Sequence, residues 1–417
     1  MATVALLGTF DTKGAEYAFL RDRIERLGCA VLTIDAGVRS DPDFRVDFSR
    51  ADVAAAAGAD IGRLESRGDR GVAVSTQAEG AAAIVDRLYR DDRLDGLIGM
   101  GGSGGSALVS RAMRQLPVGV PKLLISTMAS GDTSAYVDTS DITMMYAVVD
   151  IAGINDLSAR ILTNAAGAIS GMARAYESFR STQSGRPLVG ATMYGTTTAC
   201  VDVARHRLED AGFEVLVFHA TGSGGRAMEA LMKQGHIVAA LDITTTELMD
   251  EIAGGTTSAG PDRLEIAGSL GLPQVVSLGG VDQITFAPAS AMPAEFADRL
   301  LYQHNASVTL VRSNAEEAAQ FGRTLCRKLN AARGSVSVFV PLRGTSEYAV
   351  AGGVFHDPEA DEALFESIRT GLDPHVDLVE MDTHINDPDF ASAMADKLEE
   401  LCLRTAPGLN LSRGDAV

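Results

Sequence analysis

One strand–loop–helix–strand pattern occurs twice in this chain, about 184 residues apart, and this repetition limits the fold more than any other feature. In the first copy Val4-Ala-Leu-Leu7 is an apolar run of strand length, as expected for a parallel strand covered on both faces. Gly8-Thr-Phe-Asp-Thr-Lys-Gly14 follows as a loop. Residues 15–27 have helical spacing, with Phe19, Leu20, Ile24 and Leu27 apolar, and Gly28 closes the helix. Ala30–Ile34 is the next strand, ended by Asp35-Ala-Gly37. The second copy runs through the strand Leu188–Ala191, the loop Thr192–Thr198, a helix to Ala211, the closing Gly212 and the strand Val215–Phe218. The match continues: the strand Gly96–Gly99 corresponds to Ile237–Leu241, and Pro121–Ile125 to Pro273–Ser277. The pattern predicts an α/β protein of two Rossmann-like three-layer (αβα) subdomains with mostly parallel sheets, related by internal duplication. The expected domains are residues 1–183 and 184–417, joined through the polar linker Ser181–Pro187. The first copy carries an extra Asp- and Arg-rich stretch at 38–75, expected to be a surface excursion or a dimer contact. Residues 412–417 read as a disordered end.

Charge narrows the ligand class. Thirty-six basic against 55 acidic residues give a formal net charge of −19, the wrong sign for a nucleic-acid binder. A nucleotide is still compatible, because backbone N–H groups and one lysine can hold phosphate. Cys29, Cys200, Cys326 and Cys402 are widely spaced and form no C-x-x-C, as in a reducing compartment. The N-terminus has an apolar run of strand length without a basic region, and no stretch nears the roughly 18 apolar residues of a membrane span. The expectation is a cytoplasmic protein with neither nucleic-acid nor membrane partners.

Parallel α/β sheets bind ligands beyond the C-terminal ends of their strands. Three loops of the first half qualify by composition. Gly99-Met-Gly-Gly-Ser-Gly-Gly-Ser106 follows one strand and precedes the helical run 107–116. Its glycines let backbone N–H groups approach an anion at a helix N-terminus, so Gly101, Gly102, Ser103, Gly104, Gly105 and Ser106 are candidate phosphate contacts. The acid expected about 20 residues after a dinucleotide fingerprint is missing. The first loop supplies Gly8, Thr9, Asp11, Thr12 and Lys13; Lys13 can pair a phosphate and Asp11 can hold Mg²⁺ through water. The third supplies Thr127, Ser130, Gly131, Asp132 and Thr133. In the second half His219, Asp242 and Asp282 end strands, while Arg343 and His384 lie in polar loops. His219, Asp242, Arg343 and His384 are the candidate catalytic residues. Gly101, Ser103 and Gly105 also fit the nucleophile-elbow spacing G-x-S-x-G. The triad would then require His384 and a later acid, but Asp382 and Asp387 lie too near in sequence for the usual spacing.

Gly8–Gly14, Gly101–Ser106, Thr127–Thr133, Gly222-Ser-Gly-Gly-Arg226 and Thr383-His-Ile-Asn-Asp387, in this order, resemble the tomato mosaic virus resistance protein-like ATP-binding domain family, whose bacterial members form an uncharacterised protein family. The resemblance implies ATP binding with Mg²⁺, a homodimer, and a TIM-barrel-like partner that is a separate protein in bacteria. The resulting expectation is an ATP-binding protein, acting as a Mg-ATP-dependent enzyme on a small carbonyl or carboxylate metabolite held by the second half. Two alternatives stay open: a regulatory dimer stabilised by ATP without turnover, and a serine hydrolase using Ser103.

Overall fold

The computed structural model describes residues 1–179, 185–288, 290, 292–406 and 411. Most of the expected linker and the whole expected disordered end lie outside the described residues. The chain divides into two compact units, residues 1–182 and 183–417.

In unit 1, five strands follow in chain order: β1 (Thr3–Gly8), β2 (Ala30–Asp35), β3 (Gly96–Gly101), β4 (Lys122–Ser126) and β5 (Thr143–Tyr146). They form one parallel sheet ordered β2-β1-β3-β4-β5. Side chains alternate across it, as the pleat requires. Val4, Leu6, Ile98 and Met100 pack against helices 10–26 and 156–178. Ala5, Leu7, Leu97 and Leu124 pack against helices 70–90 and 103–113. Both faces are covered, so the strands read as unbroken apolar runs rather than alternating ones.

Unit 2 contains β6 (Leu188–Met193), β7 (Glu214–His219), β8 (Ile237–Thr244), β9 (Gln274–Gly279), β10 (Gln283–Phe286), β11 (Leu301–Asn305), β12 (Val308–Arg312), β13 (Val336–Pro341) and β14 (Asp377–Met381). Six make a parallel sheet ordered β14-β13-β9-β8-β6-β7. Taking β6 for β1, β7 for β2, β8 for β3, β9 for β4 and β13 for β5, the strand order of unit 1 recurs, extended at one edge by β14. Gly28 (φ 82°) and Gly212 (φ 102°) close the matching helices in the left-handed conformation that glycine adopts without strain. The duplication therefore holds at the level of connectivity. Unit 2 also has a three-stranded antiparallel sheet, β10-β12-β11, inserted between β9 and β13, which the strand pattern does not announce.

Two local expectations are corrected. Residues 99–106 are not a free loop: β3 runs through Gly101 and the helix starts at Ser103. The first helix starts at Phe10, with a break at Lys13 (φ −134°, ψ 30°), rather than near residue 15.

Candidate functional site

A cavity of unit 1, about 850 Å³, opens at the C-terminal ends of β1, β2 and β3. Thr9, Asp11, Thr12 and Lys13 of the first loop line it, together with Gly102, Ser103, Gly104 and Gly105. The sequence predicted all eight. The other side comes from the excursion and the start of helix 70–90, including Val38, Arg39, Leu64, Glu65, Asp69, Arg70 and Val74. The segment expected as a surface excursion or a dimer contact is therefore a wall of the cavity.

The wall is held by backbone-directed contacts. Asp11 Oδ2 accepts from the N–H groups of Val38 and Arg39, both at 2.9 Å. Asp35, fully buried, accepts through Oδ1 from Phe10 N (3.1 Å) and Gly37 N (2.9 Å). Burial pushes its carboxyl up to about 6, opposed by those two N–H bonds and reinforced by the nearby Asp11 charge. A Cβ on Gly37 would stand 2.8 Å from Asp11 Cγ, so only glycine lets the two carboxylates approach here. Gln77 Nε2 donates to Gly37 O (2.6 Å), and Arg50 ties Val38 O (2.5 Å) to Asp41 and Glu65. Asp11 Oδ1 remains buried without a partner. Lys13 Nζ donates to Ile151 O at 2.5 Å.

Helix 103–113 begins on Gly102 without a side-chain cap. Its first internal bond runs from Ser106 N to Gly102 O (2.8 Å). Among the described residues no protein group accepts from the N–H groups of Ser103, Gly104 or Gly105. Such orphan donors carry the positive end of the helix dipole. Unit 2 contains the same quartet, Gly222-Ser-Gly-Gly225, again opening an 11-residue helix (223–233). There Glu247 Oε1 accepts from Gly222 N (2.7 Å) and Gly225 N (3.1 Å). The quartet binds a carboxylate in one unit and faces a cavity in the other.

Other predicted residues have structural surroundings. A Cβ on Gly8 would fall 1.8 Å from the Tyr17 hydroxyl, which lies 3.0 Å from Leu7 O and accepts from Met100 N at 2.8 Å. Gly101 packs on the Gly105 backbone, and Ser106 Oγ meets Ser126 Oγ at 2.7 Å inside the core. The loop carrying Thr127, Ser130, Gly131, Asp132 and Thr133 does not line the cavity; Asp132 accepts from Ser134 N (2.9 Å) at the start of a short helix, and the Ser134 hydroxyl foremost, then this N–H, lowers its pKa. Ser103 has a non-positive φ, unlike a strained elbow, and all seven histidines lie beyond residue 182, so unit 1 has no imidazole base for it.

In unit 2 Asp242 is part of a buried ion network. Arg263, 1% exposed, bonds Asp242 through two nitrogens (2.7 and 2.6 Å), Glu247 (2.7 Å) and Glu229 (3.3 Å). Asp282 is buried too, accepting from Thr345 Oγ1 (3.0 Å) and Ser346 Oγ (2.7 Å), with burial raising its pKa. His219 is exposed, edge-on to Tyr194 with ring centroids 5.5 Å apart. Arg343 forms an exposed two-point pair with Asp382 (both 2.6 Å). Its N–H donates to Thr383 O (2.9 Å), which brings Arg343 beside the His384 loop; His384 Nδ1 is buried without a partner. Arg263 escaped the sequence reading, because an arginine in a loop gives no sign that three distant carboxylates converge on it. Among the described residues no three His, Cys, Asp or Glu side chains gather as a metal site, and no helix is long and apolar enough to cross a membrane. All four cysteines are buried and unpaired.

These features define a two-unit, Rossmann-like α/β protein whose first unit has a helix start without protein acceptors for its N–H groups among the described residues. Residues 2–178 match the model of the uncharacterised protein family UPF0261 N-terminal domain, and residues 186–402 match that of the UPF0261 C-terminal domain. The chain belongs to this family. A UPF0261 protein of Clostridium tetani is 47% identical over 396 residues, covering 95% of this chain and 98% of that protein. The ToMV resistance protein Tm-1(GCR237) of Solanum lycopersicum is 40% identical over 337 residues, covering 80% of this chain and 45% of the tomato protein. The ToMV susceptible protein tm-1(GCR26) of the same plant is 36% identical over 420 residues, covering 95% and 55%.

Proposed function

We propose that unit 1 binds ATP as its magnesium complex, with the phosphates at the start of helix 103–113. The observation that carries this is the set of three N–H groups at Ser103, Gly104 and Gly105, without protein acceptors, at an 850 Å³ cavity. That volume lies within the roughly 300–1,000 Å³ of ordinary small-molecule sites. The same four residue types accept a carboxylate at Gly222–Gly225, there through Gly222 N and Gly225 N with Gly222 at positive φ, a chemical parallel that supports the reading. Thr9, Thr12 and Lys13 add hydroxyls and an ammonium, and Arg39 and Arg70 add positive charge. Asp11, Asp69 and Asp150 line the same space and would repel a bare polyphosphate. They favour the magnesium complex, and the unpartnered Asp11 Oδ1 suits a hydrated cation.

Titration calorimetry of the full chain tests the reading. Saturable binding of Mg-ATP, and much weaker binding of ATP in a chelator, is the expected result. A folded chain that binds neither overturns it. The fuller form of this reading is an ATP-consuming reaction on a small carbonyl or carboxylate metabolite. The alternative, ATP held without turnover, is favoured by one observation: Asp242, the best-placed strand-end acid, is committed to Arg263. ATP recovered intact after prolonged incubation with candidate metabolites supports that alternative, and metabolite-dependent ADP release refutes it.

A further inference from the structure

The cavity in unit 1 has two chemically distinct linings. Hydroxyls, the Lys13 stem and the open N–H groups of Ser103–Gly105 make the polar part. The apolar part is Ala36, Val38, Leu64, Ala73, Val74 and Leu108. A triphosphate chain has no apolar surface to set against those six side chains. Leu64, Ala73 and Leu108 are buried, at 7%, 4% and 1% exposure, so they border the cavity without forming an external patch.

The origin of this apolar part is informative. Val38, Leu64, Ala73 and Val74 all belong to the 38–75 excursion, the last two near the start of helix 70–90. Unit 2 passes directly from β7 to helix 223–233, without any such insertion. The excursion therefore adds an apolar wall to one copy only, the copy whose Gly-Ser-Gly-Gly turn is open. It is also tied to the polar part, because Asp11 accepts from Val38 N and Arg39 N. The excursion is thus hydrogen-bonded to the first loop, which lines the polar part of the same cavity.

We infer that the excursion is the base-binding wall: resting on the ATP reading above, the adenine ring lies against Leu64, Ala73, Val74 and Leu108, and the phosphates lie on Ser103–Gly105. A nucleobase has two apolar faces, and removing them from water is favourable in proportion to the area covered. The excursion therefore separates nucleotide binding from simple polyphosphate binding.

The test compares Mg-ATP with Mg-tripolyphosphate on the full chain by calorimetry, with competition between the two. Val74 is half-buried at the cavity margin, so Val74→Asp places a charge on the wall without opening the core. Leu64→Ala removes apolar surface without adding charge. Both variants are expected to weaken ATP about tenfold or more while leaving tripolyphosphate within about twofold. Equal loss of both ligands, unchanged ATP affinity, or tripolyphosphate that fails to compete with ATP on the wild type each overturns the inference and leaves nucleotide binding standing. A wild-type chain that binds neither ligand overturns the nucleotide reading itself, and the wall with it.

Discussion

Arg263→Met is the most diagnostic perturbation of unit 2. The guanidinium is 1% exposed and faces three carboxylates, those of Asp242, Glu247 and Glu229. Methionine preserves the apolar stem and removes the charge, leaving three buried acids with no cation. Breaking a buried pair by deleting one partner costs about 3–5 kcal/mol, a large part of the roughly 5–15 kcal/mol that stabilises a domain. The loss should depend on pH with a definite sign. Burial already raises the Glu229 pKa against the pull of Arg263, and without that pull its folded-state value rises further above the unfolded one. A carboxyl with a raised folded pKa favours the fold below its unfolded value and loses that contribution as pH rises through the folded value. The variant should therefore be damaged least near pH 5 and most near pH 8. Urea unfolding of wild type and variant at both pH values measures this. Adding Asp242→Asn and Glu247→Gln to the variant should recover much of the loss at pH 8. A loss below about 1 kcal/mol, or an equal loss at both pH values, would refute the claim that Arg263 offsets the burial of these acids.

Two substitutions probe unit 1. A Cβ on Gly104 meets nothing within 4 Å and its φ is not positive, so Gly104→Val should change stability by less than about 1 kcal/mol. The branched side chain beside the open N–H groups should weaken Mg-ATP binding about tenfold or more, read by calorimetry on the folded variant. Asp11→Asn can keep both bonds to Val38 N and Arg39 N through its amide oxygen. Stability should stay within about 1 kcal/mol, and the dependence of ATP affinity on magnesium should flatten across a metal titration.

The sheets were legible for a physical reason. Strands buried on both faces read as continuous apolar runs, and the helices between β1 and β2 and between β6 and β7 end at Gly28 and Gly212, where a left-handed residue is required. The first-loop and glycine-quartet residues followed from the rule that ligands sit beyond strand ends. What escaped was set by long-range contacts. Nothing local in residues 38–75 says that Asp11 will bond Val38 and Arg39 and that Gln77 will bond Arg50 O. Gly8 looked like a ligand glycine, but Tyr17, nine residues further on, folds its hydroxyl onto that point and explains it. Asp242 is a strand-end acid like any other until Arg263 arrives from a later loop. Composition names donors and acceptors, and tertiary structure decides which of them already have partners.

The two quartets show what that pairing does energetically, and they yield a last prediction. In unit 2 the turn is satisfied by Glu247, itself fixed by Arg263, so helix 223–233 starts from a filled anion site at all times. In unit 1 the donors at Ser103–Gly105 have no protein acceptor among the described residues, so the start of helix 103–113, which follows β3 rather than the strand matched to β7, lacks the kind of stabilisation that Glu247 gives helix 223–233. A ligand that fills the open turn binds the folded state alone, and at 100 times its Kd it adds about 2.7 kcal/mol of stability. Hydrogen exchange with and without Mg-ATP should therefore be asymmetric. Amides at the start of helix 103–113 and in the Thr9–Lys13 loop should slow markedly on adding ligand. Those of Gly222 and Gly225 should already be slow and stay so, because their acceptor is covalently part of the chain. Protection appearing instead at the Gly222 turn, or spread evenly over both units, would mean that the open turn of unit 1 is not where the anion binds.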